Sequence, residues 1–577
     1  MENKYSLIVE ELGIKKIVFF IFLNFFVLFL ELLSFSMFIP FLLALTNIEK
    51  LLNYEIFIQT LSMFHISKSD KMSILLLIFI FLITVFFLKN LFIGISNYFK
   101  FKIIFQLESK LTSIVFQKYL RKPYLFHTSE NSSKAIRNII GETAMFVRSI
   151  LGSILSIIIE SAVLMGIFLI LFLNEPGITI KLLLCFLFLA VFFFILFNKK
   201  YVFIGKERQK QDSNRIKYVQ QGIQGIKEII AFNLQKFILT YFVRSNEKVI
   251  KNTHYAGFLN TIPKLIMETL AIVIILIIFL TTQEIQNDFN KHIFVLGLIS
   301  VTAFRMFPGI NKILTAFNTY QYAKPTIKVL SQIFEDDVKN SKKTYNLENN
   351  KENLILKDSI QIKNLYFKYP SAKDYIFENL DLRINKGEHI GIMGETGSGK
   401  STLVDLILGI INPIEGHIYC DKKSVFENLF GWRNLIGYVT QFPYLLDDSI
   451  ESNIAIGVDK DKISTPQLFK CLEIANLKNF VNSLGNKHKT LIGERGALLS
   501  GGQIQRLAIA RALYKSPNIL LLDEATASVD TVTEARILQD LNKYKKDLTS
   551  ISISHSKEAL KFCDKIYELK NNKLILK

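Results

Sequence analysis

Up to about residue 320, long apolar runs alternate with shorter polar stretches. Six of these runs, roughly 17–45, 72–98, 150–173, 178–197, 260–281 and 291–317, each hold the ~20 residues that cross a bilayer core. The pattern predicts six membrane-spanning helices. Those at 17–45 and 72–98 are long enough to continue beyond the lipid. The first begins after Lys15-Lys16 and is too long for a signal h-region, so no cleavable leader is expected. Between the first two, Leu51, Leu52, Ile56, Phe57, Leu61 and Phe64 recur at near-helical spacing. Residues 47–70 are thus either an amphipathic helix on the outer membrane face or a plain connecting loop. Residues 334–358 are polar, rich in Asn, Lys and Glu, and read as an interdomain linker. Beyond them apolar strands and helices alternate to the end, an α/β pattern. The chain therefore divides into a helical membrane domain over 1–334, a linker over 335–358 and an α/β domain over 359–577.

Charge orients the spans. The net charge of +19 has two readings, nucleic-acid binding or enrichment of Lys and Arg on one side of a membrane. The basic residues crowd the segment between the second and third spans (Lys100, Lys110, Arg121, Arg137 and Arg148 among them) and that between the fourth and fifth (Lys199, Lys206, Arg215, Lys236 and Lys251 among them). The opposite loops, Asn174-Glu175-Pro176-Gly177 and Gln283-Glu284-Ile285-Gln286-Asn287-Asp288, carry almost no Lys or Arg. Both basic segments and both termini are therefore expected on the cytoplasmic side, and a nucleic-acid partner is not expected. Cys185, Cys420, Cys471 and Cys563 are scattered without metal-ligand spacing and read as structural thiols in a reducing compartment.

The chemistry starts at Gly394-Glu395-Thr396-Gly397-Ser398-Gly399-Lys400-Ser401, which follows an apolar strand pattern and opens a helical one at Thr402. This is the strand–turn–helix context of a phosphate-binding P-loop. Its glycines let backbone N–H groups curl around phosphate oxygens, and the helix N-terminus adds the positive end of a dipole. Lys400 can reach the β- and γ-phosphates of ATP, and the Ser401 hydroxyl can ligate Mg²⁺. Ile519-Leu520-Leu521-Leu522-Asp523 is a buried-strand pattern ending in an acid suited to Mg²⁺, and Glu524 follows where it can polarise an attacking water.

Leu499-Ser500-Gly501-Gly502-Gln503 matches the signature of ATP-binding-cassette ATPases, and this half of the chain resembles that superfamily. The resemblance implies further roles. Tyr369 stacks on adenine, Gln441 contacts Mg²⁺ and the membrane domain, and His555 contacts the γ-phosphate. Gly493-Glu494-Arg495-Gly496 is similar to the exporter X-loop, and Ser528-Val529-Asp530 to the D-loop. Ser500, Gly501, Gly502 and Gln503 would meet the ATP held by a partner cassette. With one cassette and about six spans the chain reads as half of a transporter, and a homodimer is the simplest assembly. The order of domains resembles type IV ABC exporters, which implies coupling helices within 121–132 and 222–231.

Four basic residues, Lys89, Lys264, Arg305 and Lys312, sit inside apolar spans, where a charge costs about 2.5–3.5 kcal/mol. Counted from the outer ends, Lys89, Lys264 and Arg305 lie roughly 14–18 residues inward, about 21–27 Å at ~1.5 Å per residue. Lys312 lies two turns deeper. A basic belt at one level suits an anionic headgroup such as a pyrophosphate. The alternatives are local pairing of Lys264 with Glu268 and snorkelling of Lys89. Phe304 to Lys312, Ile262-Pro263-Lys264 and Met37-Phe38-Ile39-Pro40 resemble the lipid-linked oligosaccharide flippases of bacterial protein N-glycosylation. That resemblance implies an inner-membrane flippase for a polyprenyl-pyrophosphate glycan. An exporter of another lipid, a peptide or a drug, and an ATP-gated channel or regulator, remain open at this point.

Overall fold

The computed structural model describes residues 14–46, 48–68, 70–281, 289–340, 354–525, 529, 531–544, 547–555 and 560–577. It resolves into two compact units, one of residues 1–122 with 127–342 and one of residues 123–126 with 343–577.

The first unit is helical. The helix Ile14–Ser36 breaks at Met37, and Phe38–Thr46 follows with Pro40 in its first turn, where a missing N–H costs nothing. Lys71–Leu120, Pro176–Gln224 and Gln235–Thr281 are single helices of 50, 49 and 47 residues. They run well beyond the apolar stretches at 72–98, 178–197 and 260–281. The span at 150–173 belongs to the helical stretch Ser132–Asn174, and that at 291–317 to Phe289–Ala323. Val18–Thr46, Lys71–Leu120 and Ser132–Asn174 are each long and apolar enough to cross a membrane. Some side chains of the other three spans lie outside the described residues.

Two π-helical turns, Arg137–Glu142 and Phe146–Leu151, interrupt Ser132–Asn174. They widen the helix where Glu142 is fully buried between Arg137 (3.6 Å) and Arg208 (3.6 Å), with Thr326 donating to it at 2.5 Å. The core packs Val163, Ile167 and Leu171 against Met267, Leu298 and Met306. At Gly205 a Cβ would lie 2.1 Å from the Tyr322 carbonyl, so only glycine permits this approach of Pro176–Gln224 to Phe289–Ala323.

The 47–70 stretch is neither one amphipathic helix nor a plain loop. It forms two short helices, Ile48–Leu52 and Glu55–Met63, which bury Leu51 and Leu61 against Ile74, Leu77 and Ile78. Asn47 and Ser69 are outside the described residues. Short helices also occupy the two basic segments, Tyr124–Ser129 and Ile226–Ala231. The helix Pro325–Asn340 carries regular structure beyond the expected start of the linker at 335. Residues 341–353 are outside the described residues.

The second unit is α/β, with a sheet the sequence pattern does not foresee. Strands β1 (Ser359–Phe367), β2 (Phe377–Asn385), β4 (Glu415–Cys420) and β5 (Lys423–Ser424) pair antiparallel in the order β2-β1-β4-β5. The main sheet runs β10-β9-β3-β8-β7-β6. Here β3 is His389–Gly394, β6 Ile436–Val439, β7 Ile519–Asp523, β8 Thr549–Ile553, β9 Lys565–Lys570 and β10 Lys573–Leu576. All but the edge strand β10 are parallel. Strand β7 is buried at every position and β3 through its centre, as continuous apolar runs require in a covered parallel sheet. Cys420 and Cys471 are buried free thiols pushed up to about 11 by burial, so they stay protonated and structural. Cys185 is outside the described side chains.

Candidate functional site

The carboxyl ends of β3, β6, β7 and β8 deliver the P-loop, Gln441, Asp523–Glu524 and His555 to one edge of the parallel sheet, where open α/β sheets bind ligands. The loop Gly394–Lys400 turns through Gly397 (φ +85°) and Gly399 (φ +103°). At Gly399 a Cβ would also strike Ile376 at 2.6 Å. Ser401 and Thr402 follow in the first turn of Lys400–Ile407. Lys400 folds back to donate to the carbonyls of Gly394 (2.9 Å) and Glu395 (2.8 Å). Burial lowers its pKa, opposed by the nearby Glu524 and Asp523. Ser398 Oγ is buried without a hydrogen-bond partner among the described residues. An ammonium held over a glycine cradle and an unmatched hydroxyl fit a polyphosphate.

Asp523 is buried, and burial raises its pKa, with Glu524 adding to the effect and Lys400 opposing it. A cation beside it would favour the ionised form, so Asp523, Ser401 and Gln441 make an oxygen-donor set suited to Mg²⁺. Glu524 holds a left-handed φ of +46°, fixed by its N–H donating to the Ile553 carbonyl at 2.9 Å. Its carboxylate is gripped from two sides. Gln441 Nε2 donates to Oε2 at 2.5 Å, and His555 Nε2 lies 3.2 Å from Oε1. The structure thus joins three residues that sequence spacing names separately. It turns the Gln441 amide on Glu524.

Tyr369 packs on the Phe367 ring and its hydroxyl lies 3.2 Å from Thr402 Oγ1. Ser500 caps the helix Gly501–Tyr514 in a reciprocal box. Gln503 N donates to Ser500 Oγ at 3.3 Å and Ser500 N donates to Gln503 Oε1 at 2.8 Å. The N–H groups of Gly501 and Gly502 then open the helix as an anion-binding end. Gly493 and Gly496 take positive φ, as does Arg495 between them. Ser528 and Asp530 lie outside the described residues.

In the first unit a cavity of about 830 Å³ is lined by Asn24, Glu31, Ser96, Lys100, Glu160 and Lys312 among apolar side chains. Lys312 Nζ donates to Glu160 Oε1 at 2.5 Å. Arg305 is hydrogen-bonded to Glu31, and its other terminal nitrogen lies 3.9 Å from Glu160 Oε2. Lys89 is buried over the Phe86 ring at 4.1 Å, within electrostatic reach of Glu31, Arg305 and Lys312. Lys264 does not join them. Its side chain is 63% exposed and 3.8 Å from Glu268, the local pairing its spacing allows. Sequence reading of the belt overlooks Glu31 and Glu160. The signal was available, since each is the sole ionisable residue of its span.

Comparison with known proteins places these features in a family. The ABC transporter family matches residues 377–527, and the ABC transporter transmembrane region matches residues 16–305. The chain is similar to the multidrug resistance protein pgp-1 of Caenorhabditis elegans, 37% identical over 227 residues, which are 39% of this chain and 17% of that protein. It is similar to ABC transporter B family member 17 of Arabidopsis thaliana, 29% identical over 89% of this chain and 41% of that protein. The chain therefore spans less than half the length of these two relatives. It is also similar to the ATP-dependent lipid A-core flippase of Pseudoalteromonas translucida, 27% identical over 82% of this chain and 80% of that protein. A solved bacterial Atm1-family ABC exporter with ATP bound shares the fold, with a TM-score of 0.78 at 21% identity, covering 97% of this chain and 94% of that one.

Proposed function

The chain belongs to the ABC transporter family, a multi-pass membrane exporter with an ATP-hydrolysing domain, and on that premise we propose that it moves an anionic lipid between bilayer leaflets. The observation that carries the proposal is the cluster of Lys89, Arg305 and Lys312 beside a largely apolar cavity within the apolar spans. Such a cluster, which Glu31 and Glu160 neutralise only in part, suits a charged head on an apolar tail. A lipid-linked oligosaccharide on a polyprenyl pyrophosphate has this chemistry, and one relative is a lipid A-core flippase. The proposal places the chain in a bacterial inner membrane with both termini cytoplasmic, working as a homodimer.

ATP with Mg²⁺ supplies the phosphoryl group whose hydrolysis drives the cycle. Within the chain, Lys400 and the P-loop amides would hold the phosphates, and Ser401, Gln441 and Asp523 would hold the metal. Glu524, oriented by Gln441 and His555, takes the proton of the attacking water. Ser500 to Gln503 close on the ATP of the partner copy. The short helices Tyr124–Ser129 and Ile226–Ala231 serve as the coupling elements.

The test is flipping of a fluorescent lipid-linked glycan in proteoliposomes, read beside ATPase in the same vesicles. Arg305→Ala should weaken lipid coupling roughly ten- to a hundredfold, the scale of a lost charge-assisted contact, with basal ATPase retained. Arg305→Lys should be milder. Wild-type flipping by Arg305→Ala would remove the cluster from substrate binding. Loss of flipping, ATPase and the folded protein together would make Arg305 structural.

A further inference from the structure

Gln441 opens a segment with no helix or strand of its own. Strand β6 ends at Val439, and residues 440–448 run on without regular structure to the short helix Ile450–Ile454. The side chains of Phe442 and Tyr444 are 82% and 67% exposed, so their packing holds little of this segment in place. Leu445 between Tyr444 and Leu446 is buried, and polar contacts tie the backbone on either side of it. Fully buried Asn453 accepts the Leu446 N–H on Oδ1 at 2.8 Å. Its Nδ2 donates to the carbonyls of Leu446 (3.0 Å) and Ser449 (3.0 Å).

Arg511, in the last turn of Gly501–Tyr514, completes this brace. Its Nη1 donates to the Tyr444 carbonyl at 2.7 Å, its Nε to the Asn453 carbonyl at 2.7 Å and its Nη2 to Asn453 Oδ1 at 3.0 Å. All three acceptors are neutral oxygens of the 444–453 stretch. The guanidinium fork is rigid and its hydrogen bonds are charge-assisted, so it fixes what it binds. Gln441 lies three residues before the carbonyl that Arg511 holds, a reach of at most about 10 Å, and β6 fixes the chain on its other side. The same helix also reaches Glu524, whose carbonyl oxygen lies 3.5 Å from Gln505 Nε2. One helix thus frames both partners of the contact in which Gln441 Nε2 donates to Glu524 Oε2.

Resting on the roles proposed above for Gln441 and Glu524, we propose that Arg511 is a positioning residue for ATP hydrolysis. It ties the Gln441 segment to the helix Gly501–Tyr514 and so keeps the Gln441 amide on the Glu524 carboxylate. Its effect passes through Gln441. The P-loop follows β3 and shares none of these hydrogen bonds, so nucleotide binding does not depend on Arg511.

Basal ATPase of the full chain is measured in nanodiscs against ATP concentration, and thermal unfolding reports whether each variant is folded. Arg511→Met keeps much of the side-chain volume and removes the donors. It should lower kcat roughly tenfold, the scale of one lost charge-assisted contact, and leave half-saturating ATP unchanged within about twofold. Gln441→Ala should slow hydrolysis by itself. Arg511→Met added to Gln441→Ala should then slow it no further, which a double-mutant cycle reads as full coupling and a merely structural role does not predict. Arg511→Lys keeps the charge and reaches fewer of the three oxygens. It should be milder, and it carries the same cycle where Arg511→Met does not fold. Wild-type turnover by a folded Arg511→Met, or losses that multiply in the double variant, overturns this inference alone. Failure of both Arg511 variants to fold makes the residue structural and also overturns it. Wild-type turnover by Gln441→Ala overturns the role of Gln441 and this inference with it.

Discussion

Glu524 shows how much a single carboxylate depends on its neighbours. Its strained φ and its contacts to Gln441 and His555 aim it rather than merely place it. Glu524→Gln should bind ATP and slow hydrolysis by at least ~10²-fold, as loss of a general base does. Single-turnover release of phosphate checks this. Another residue beside the site carries a pH signature. Asp405, on the helix after the P-loop, is raised to about 6 by burial and by Asp523. The folded protein therefore binds more protons than the unfolded chain between about pH 4 and pH 6. Stability from this group is complete below pH 4 and lost as pH rises through 6. Asp405→Asn should flatten that part of the profile and stabilise the protein by about 1–2 kcal/mol at pH 7.5. Denaturant unfolding at about pH 4 and about pH 7.5 measures it.

At the scale of elements, the helices are set by close approach and by their ends. Gly205 allows Pro176–Gln224 to touch the Tyr322 carbonyl, and Leu42 similarly meets Gly297. Gly205→Ala should cost about 1–3 kcal/mol, because backbone cannot yield as a side chain does. Thermal unfolding in detergent should show the loss, and unchanged stability would mean that the two helices slide apart freely. In the ATPase unit the Ser500–Gln503 box starts Gly501–Tyr514. Under the proposed homodimer, the serine that caps this helix would also present the amides of Gly501 and Gly502 to the partner's phosphate.

For the whole molecule, each ATP site is composite under the proposed homodimer. Adding Ser500→Arg chains to wild-type chains should then depress ATPase beyond simple dilution, because one altered chain spoils the site of its partner. Activity that falls strictly with the wild-type fraction would show that each chain works alone. Along the sequence the basic residues behind the +19 excess crowd the segments between apolar runs, the asymmetry on which the expected cytoplasmic side of those segments rests.

Local pattern alone determined the helical membrane half, the α/β half and the nucleotide motifs. Apolar period, glycine spacing and the acid at the end of β7 are properties of contiguous residues, and contiguous residues are what a sequence displays. It also showed that Lys89, Arg305 and Lys312 needed a reason to lie in apolar spans. Only the tertiary structure decided what they meet. Glu31 and Glu160 lie 274 and 152 positions away from Arg305 and Lys312, and no period or spacing links residues so distant. Lys264 shared their depth but not their face, because depth follows from rise per residue whereas facing follows from how helices pack. The antiparallel sheet of β1, β2, β4 and β5 escaped for the same reason, since its pairing joins strands that are not neighbours in the chain. Gln441, Glu524 and His555 were each legible by motif, but their convergence on one carboxylate is the work of the strand order β8-β7-β6.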